Sequence, residues 1–463
     1  MADDLQNELK RFQQEHLLHF WECLTIAERS ELAQQIRDLD LAMLERLTSG
    51  SDHAPDWSAL AARALPPQAI RLNDPSPAIQ TSAALAAGEE ALRGGRIGMI
   101  LAAGGQGTRL GFDHPKGLFS IGPLSGRTLF QMHVDRLLAM SKRYGVRLPL
   151  LIMTSPATDA ETREYFHRHQ NLGMSSEDLI IFCQGSMPAV DEASGKILLS
   201  AKGEIALSPD GHGGLVAALH RHSLLRWSEQ RGIDHFFYAQ VDNPLVQVCD
   251  PMLIGYHLLA KSEMTTQVVK KRFALEKVGN VVSIDGKIQI IEYSDLPAKF
   301  AEQLQADGSL KLWAGNIAVH LFDIAFLRRV VQFADGLPFH RARKIVPFVN
   351  SEGEIIKPEQ PNAIKFERFV FDLLPMADRS IVVEGNAREV FAPVKNANGA
   401  PNDTPDATRS ALMALHRDWL RRSGCRVEDS VAVEIHPSWA LDATEVQSRI
   451  TRPISLVSDT YFA

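Results

Sequence analysis

A chain of 463 residues, 45% hydrophobic and 23% charged, has the composition of a folded globular protein and is too long for one core, so roughly two or three domains are expected. A formal charge of -7 argues against a protein that coats nucleic acid. Cys23, Cys183, Cys249 and Cys425 are scattered without a C-x-x-C pair, which disfavours a disulfide framework or zinc site and fits a reducing compartment. Asp3 and Asp4 stand where a signal peptide would be basic, and no apolar run reaches membrane-spanning length; the expectation is a cytoplasmic chain without a membrane partner.

Residues 5–47 read as helices, with Thr25 and Glu28 as a capping box and Leu32, Ile36, Leu39 and Met43 at helical spacing. A segment bearing Pro55, Pro66, Pro67, Pro75 and Pro77 leads to a helical run over 79–92. Residues 1–95 carry no cluster of catalytic residue types and are expected to form a helical N-terminal domain packed against the rest, with a partner-binding module as the alternative.

From Arg96 the pattern alternates. Short apolar runs at 97–103, 148–154, 179–184 and 235–241 read as buried strands, and 128–144, 157–169 and 215–230 as helices between them. This alternation implies an α/β fold with a largely parallel sheet covered on both faces. Later strands are expected at 278–284, 287–291 and 313–320, with Asp285-Gly286 as a hairpin turn. The cluster Asn396, Asn398, Gly399, Pro401 and Pro405 marks a boundary, giving domains 1–95, 96–385 and 386–463; the last holds a helix at 408–423 and short β-prone runs.

The first strand ends in Gly104, Gly105 and Gly107, followed by Arg109 and Lys116. Glycines at a strand's carboxyl end admit an anion to the backbone, and the cations supply countercharge, so a nucleoside triphosphate is the expected ligand. The loop is not a Walker loop, since Thr108-Arg109 follow the last glycine. It is not a dinucleotide fingerprint either, because position 110 is Leu and the second strand ends in Met153-Thr154-Ser155 rather than an acidic residue. Asp242, in Gln240-Val241-Asp242-Asn243, ends another strand and suits a Mg²⁺ ion bridging phosphates; a turn or N-cap role is the plain alternative. Ser208 to Gly214 forms a second glycine loop, and Lys395 follows Pro393-Val394. Taken by themselves, that loop reads equally as a connection and Lys395 as a surface lysine.

Taken in order, the blocks LAAGGQGTRLG (101–111), PKG (115–117), SPDGHGG (208–214), QVDN (240–243), IEYSD (291–295), GNIA (315–318), KFERFVFD (365–372) and PVKN (393–396) resemble the eukaryotic-type UDP-sugar pyrophosphorylases, with closest likeness to the UDP-N-acetylglucosamine pyrophosphorylases. The resemblance runs over most of the chain. It implies a central Rossmann-like nucleotidyltransferase sheet, mixed and flanked by helices on both faces, with smaller helical N-terminal and α+β C-terminal domains. It implies UTP and a sugar-1-phosphate as substrates, UDP-sugar and pyrophosphate as products, Mg²⁺ as cofactor, and a monomer or weak homo-oligomer.

Residue by residue, the same resemblance assigns Leu101, Ala103, Gly104 and Gly105 to the nucleotide and its phosphates, with Arg109, Lys116 and Lys395 as charge donors in catalysis. Gln184 and the backbone at Gly211 would meet the uracil edge, Asp242 the metal, and Gly279, Glu292 and Asn316 the sugar. His212 departs from the Gly-Asn-Gly-Gly usual in the acetylglucosamine enzymes, a position that the resemblance places near ribose and sugar. It therefore keeps glucose-1-phosphate, or a broad sugar range, as the alternative to N-acetylglucosamine-1-phosphate. A catalytically silent nucleotide-sugar-binding protein is the remoter alternative, and the presence of all four charged residues disfavours it.

Overall fold

The computed structural model describes residues 2–49, 56–74, 77–333 and 337–463; Pro55 and Pro75 of the proline-bearing segment lie outside the described residues. The chain folds as two compact units. One comprises Met1–Asp56, Gln184–Ala217 and Ala334–Asp372, the other Trp57–Cys183, Ala218–Phe333 and Leu373–Ala463. These units cut across the segments 1–95, 96–385 and 386–463, because each gathers stretches far apart in sequence.

In the smaller unit the N-terminal helices share a core with later strands. Leu9, Leu17, Leu32 and Ile36 pack with Val190, Leu199, Ile364 and Phe366. The capping box is present as expected: Glu28 N–H donates to Thr25 Oγ1 at 3.3 Å, and Thr25 N–H to Glu28 Oε2 at 2.7 Å. These helices are thus one side of a unit completed by 184–217 and 334–372, whereas Thr81–Arg93 joins the larger unit. There it crosses Pro251–Leu259 so closely that a Cβ on Gly88 would collide with the Pro251 carbonyl, and one on Gly255 with the Ala84 carbonyl. Glycine at both positions is a packing requirement.

The larger unit is built on a mixed sheet. Its strands run in the order Ala69–Ile70, Ser380–Glu384, Met264–Lys270, Ala314–Asp323, His235–Gln240, Ile97–Ala102, Leu150–Thr154 and Leu179–Cys183. Neighbours are parallel except at Ala314–Asp323, which is antiparallel to both strands beside it. The largely parallel sheet that was expected therefore holds, with Ala314–Asp323 and a hairpin paired to it as its antiparallel part. That strand enters after the hairpin Asn280–Ile284 and Lys287–Ile291, whose Asp285 and Gly286 take φ of 51° and 81°, the geometry of a two-residue hairpin turn. The predicted helix over 215–230 divides into Leu215–Arg221 and Leu224–Gln230, with Ser223 between them at φ 57°. The run of helix formers there gives no signal for that break.

From Ile97–Ala102 the chain moves outward to Leu150–Thr154 and Leu179–Cys183, then returns to place His235–Gln240 on the other side of Ile97–Ala102. This reversal makes the carboxyl ends of Ile97–Ala102 and His235–Gln240 the switch point where open α/β sheets take ligands. Their registers align, with Gln240 opposite Ala102, so Gly104 and Asp242 each lie two residues beyond paired positions on one rim.

Candidate active site

The loop after Ile97–Ala102 is held by main-chain and hydroxyl contacts. Ala103 N–H donates to Met153 O at 2.8 Å, and Ser155 Oγ donates to Gly104 O at 2.8 Å. Gln106–Gly107 pairs antiparallel with Phe112–Pro115, and Lys116 N–H closes back on Gly105 O at 3.0 Å. The glycines here differ in physical role. A Cβ on Gly107 would lie 2.6 Å from the Phe112 carbonyl oxygen, so folding alone demands glycine. A Cβ on Gly105 would meet no atom of the described residues within 4 Å, which leaves an exposed stretch of backbone open in front of the loop.

Lys116 Nζ lies 3.6 Å from Asp242 Oδ2, both side chains largely buried at 18% and 13% exposure. The Asp242 backbone is fixed from two sides. Helix Leu129–Tyr144 sends His133 Nε2–H to the Val241 carbonyl at 3.0 Å and Arg136 to the Pro244 carbonyl. From the other side, Val394 N–H donates to Asp242 O at 2.8 Å, and Asn243 Nδ2 donates to Val390 O at 2.8 Å. Asn243 Oδ1 also accepts from Ala392 N–H at 3.1 Å, so the segment before Lys395 is anchored to the Asp242 loop. Ala397 N–H donates to the Arg109 carbonyl at 3.0 Å. The structure therefore brings the Arg109, Lys116, Asp242 and Lys395 loops together.

Sequence reasoning missed Asp403. Its carbonyl accepts from the Lys395 and Asn396 amides at 2.8 and 3.0 Å, and its φ is 57°. Burial pushes its carboxyl above the usual range, against the pull of Lys395 and Arg272. It also missed Lys271, buried at 4% exposure and donating to Asn280 Oδ1 at 2.6 Å, whose pKa burial lowers to about 8. Inside Lys270-Lys271-Arg272 nothing in the sequence separates this lysine from a solvated charge run.

The three residues expected around a sugar also converge. A Cβ on Gly279 would lie 2.8 Å from Glu292 Oε1 and 3.6 Å from Asn316 Cβ, and Asn316 N–H donates to Gly279 O at 2.8 Å. Asn316 sits at a bulge, where Val268 pairs with Asn316 and Gln267 with Val319, and Ala318 takes φ 56°. Its Oδ1 accepts from Ala318 N–H at 3.0 Å, which fixes the amide within the bulge.

The remaining expected residues, Gln184, Gly211 and His212, lie in the smaller unit. Gln184 Nε2 donates to Asp210 Oδ1 and to Gly211 O, each at 3.0 Å. His212 Nδ1 accepts from Val370 N–H at 3.0 Å, its ring stacks on Phe369 with centroids 5.3 Å apart, and burial lowers its pKa to about 4. Its imidazole is therefore neutral and anchors the 368–370 segment, together with the Gly213 N–H to Arg368 O bond of 2.8 Å.

Known proteins resemble this chain in sequence and fold. The pattern described as UTP--glucose-1-phosphate uridylyltransferase matches residues 65–451. The human UDP-N-acetylhexosamine pyrophosphorylase-like protein 1 is 35% identical over 457 residues, covering 94% of this chain and 88% of its own length. The UDP-N-acetylglucosamine pyrophosphorylase of Saccharomyces cerevisiae is 38% identical over 356 residues, covering 75% of this chain and 74% of its own. The crystal structure of the uridine diphosphate N-acetylglucosamine pyrophosphorylase from Trypanosoma brucei in complex with inhibitor matches with a TM-score of 0.83 at 26% identity, covering 100% of this chain and 98% of that one. With the nucleotidyltransferase fold, the switch-point loops and a family pattern spanning most of its length, the chain belongs to the UTP--glucose-1-phosphate uridylyltransferase family.

Proposed function

We propose that this chain is a uridylyltransferase that makes UDP-sugar and pyrophosphate from UTP and a sugar-1-phosphate, with N-acetylglucosamine-1-phosphate as the acceptor. Family membership and the N-acetylglucosamine and N-acetylhexosamine names of its relatives support the reading. The observation that carries it is the Lys116–Asp242 pair at the switch point, 3.6 Å apart beside an open glycine loop.

In the proposed step a phosphate oxygen of the sugar-1-phosphate attacks the α-phosphorus of UTP in line. The bond from that phosphorus to the bridging oxygen breaks, and pyrophosphate leaves. Such transfers need positioning and countercharge more than covalent help. Leu101, Ala103, Gly104 and Gly105 would hold the nucleotide, and Arg109, Lys116 and Lys395 would offset the repulsion between two polyanions. Gly279, Glu292 and Asn316 would receive the sugar, with Glu292 accepting from its hydroxyls. Gln184, Gly211 and His212 are assigned to the nucleoside.

Among the described residues no group of three or more His, Cys, Asp or Glu side chains is arranged to hold a metal ion. One carboxylate together with substrate phosphates is nevertheless how Mg²⁺ is commonly held, and Asp242 fits that need. When bound there, Mg²⁺ would neutralise charge on the phosphate oxygens. Asp242 would hold that ion, and Lys116 would contribute its ammonium to the phosphates. No helix among the described residues is long and apolar enough to cross a membrane; a cytoplasmic place of action is part of the proposal.

Pyrophosphate release from UTP with Mg²⁺, compared across N-acetylglucosamine-1-phosphate and glucose-1-phosphate, tests the reading. A preference for glucose-1-phosphate would replace the acceptor, and no release with any sugar phosphate would overturn the activity. Gly105→Val separates ligand from fold: with open space around that position, thermal stability should stay within about 1 kcal/mol of wild type. Turnover should fall at least roughly tenfold as the side chain blocks the backbone. Unchanged turnover would remove the loop from the phosphate site.

A further inference from the structure

We infer that Asp210 sets the nucleobase preference by locking the amide of Gln184 in a single orientation. The inference rests on the proposed place of Gln184 at the base. A glutamine amide has one end that donates and one that accepts, and reversing it exchanges them at almost no cost in shape. Here the donating end is fixed by its neighbours. Gln184 Nε2 meets Asp210 Oδ1 and the Gly211 carbonyl at 3.0 Å each, using both of its hydrogens. Both partners at that end are oxygens, so a reversed amide would set Oε1 against two oxygens.

Asp210 is itself held in place. It is 8% exposed and Gln184 7% exposed. A Cβ on Gly185 would fall 2.6 Å from Asp210 Oδ2, and one on Gly214 would collide with the same carboxylate, so the flanking glycines make room for it. The backbone around it is bonded too, with Asp210 N–H donating to Gly185 O at 3.1 Å and Arg368 N–H to Asp210 O at 2.8 Å. The consequence for a ligand is that Gln184 offers Oε1, an acceptor. The matching partner is a pyrimidine whose ring N3 carries hydrogen, as in uracil. Cytosine presents a bare N3 lone pair at the same place and is repelled.

The test compares kcat/KM for UTP and CTP in wild type, Asp210→Asn and Gln184→Ala. Asp210→Asn keeps the shape but allows an N–H to face Gln184, so reversal becomes favourable enough to admit cytosine. The UTP-over-CTP ratio is expected to fall at least about tenfold, the scale of one hydrogen bond to a charged group. This ratio is insensitive to the fraction of folded enzyme, so a purely structural role for Asp210 would leave it unchanged. If Asp210→Asn keeps the full ratio while Gln184→Ala loses it, the lock is wrong and the place of Gln184 at the base stands. If Gln184→Ala keeps the ratio, the base assignment fails and the inference falls with it.

Discussion

Asp242→Ala should lower turnover at least roughly 100-fold at saturating substrate and Mg²⁺, the scale of losing one preorganised charge contact, or about 2.7 kcal/mol. Lys395→Ala should do the same. Both side chains stand on backbone that other groups hold. The Asp242 carbonyl is fixed by the Val394 amide, and the Lys395 amide bonds to the Asp403 carbonyl. Removing either charge therefore leaves the loop where it was, and the measured loss reports electrostatics. The double variant should lose much less than the product of the single losses, because the groups act on one triphosphate. Steady-state turnover with thermal unfolding as the fold control checks this. Near-wild-type turnover in either single variant would cancel the role given to that residue.

Acid should destabilise the larger unit as pH falls below the ordinary histidine range. His133, His257 and His416 are buried there at 0%, 0% and 2% exposure. Burial lowers their pKa values from 6.5 to about 4, about 3 and about 3. Each is held as a neutral ring. His133 donates through Nε2 while its buried Nδ1 has no hydrogen-bond partner among the described residues, and His416 Nδ1 accepts from Ile435 N–H at 3.2 Å. His257 lies between Thr265 Oγ1 at 2.8 Å and His235 Nδ1 at 3.2 Å.

These folded-state values are depressed, so below 6.5 the unfolded chain takes up protons that the folded chain refuses. The stabilisation is present above pH 6.5 and is lost as pH falls towards 4. Three such groups, partly offset by the buried Asp250 carboxyl that burial pushes up to about 6, should remove about 3 kcal/mol between pH 7.5 and 5.5, a large share of an ordinary domain's stability. Urea unfolding at the two pH values measures this directly. Equal midpoints would mean the rings accept protons without disrupting their surroundings.

Much of this architecture was legible because its signals are local. The apolar runs ending at Ala102 and Gln240 marked two strands, and the glycines after the first marked the loop that follows it at the switch point. Thr25 with Glu28, and Asp285 with Gly286, encode a cap and a turn within a few residues. What escaped depends on residues distant in sequence. The joining of 5–47 with 184–217 and 334–372 is invisible to periodicity, since each stretch shows only that it has an apolar face. The antiparallel course of Ala314–Asp323 is set by the return from a hairpin, not by its own residues. Among the site residues, the carboxylates and lysines next to glycines or at strand ends stood out. Lys271 and Asp403 did not, because burial made them unusual, and burial is a property of the folded chain.

The segment after Phe391 touches two other loops through backbone atoms, Val394 to Asp242 and Ala397 to Arg109. These two links use groups that every residue but proline possesses, so at these points the loops are held by backbone rather than by the charged side chains they carry. Lineages could therefore exchange a charge at any one of these positions and change the chemistry without rebuilding the frame. The same fold is left free to drift in substrate while its skeleton stays constant.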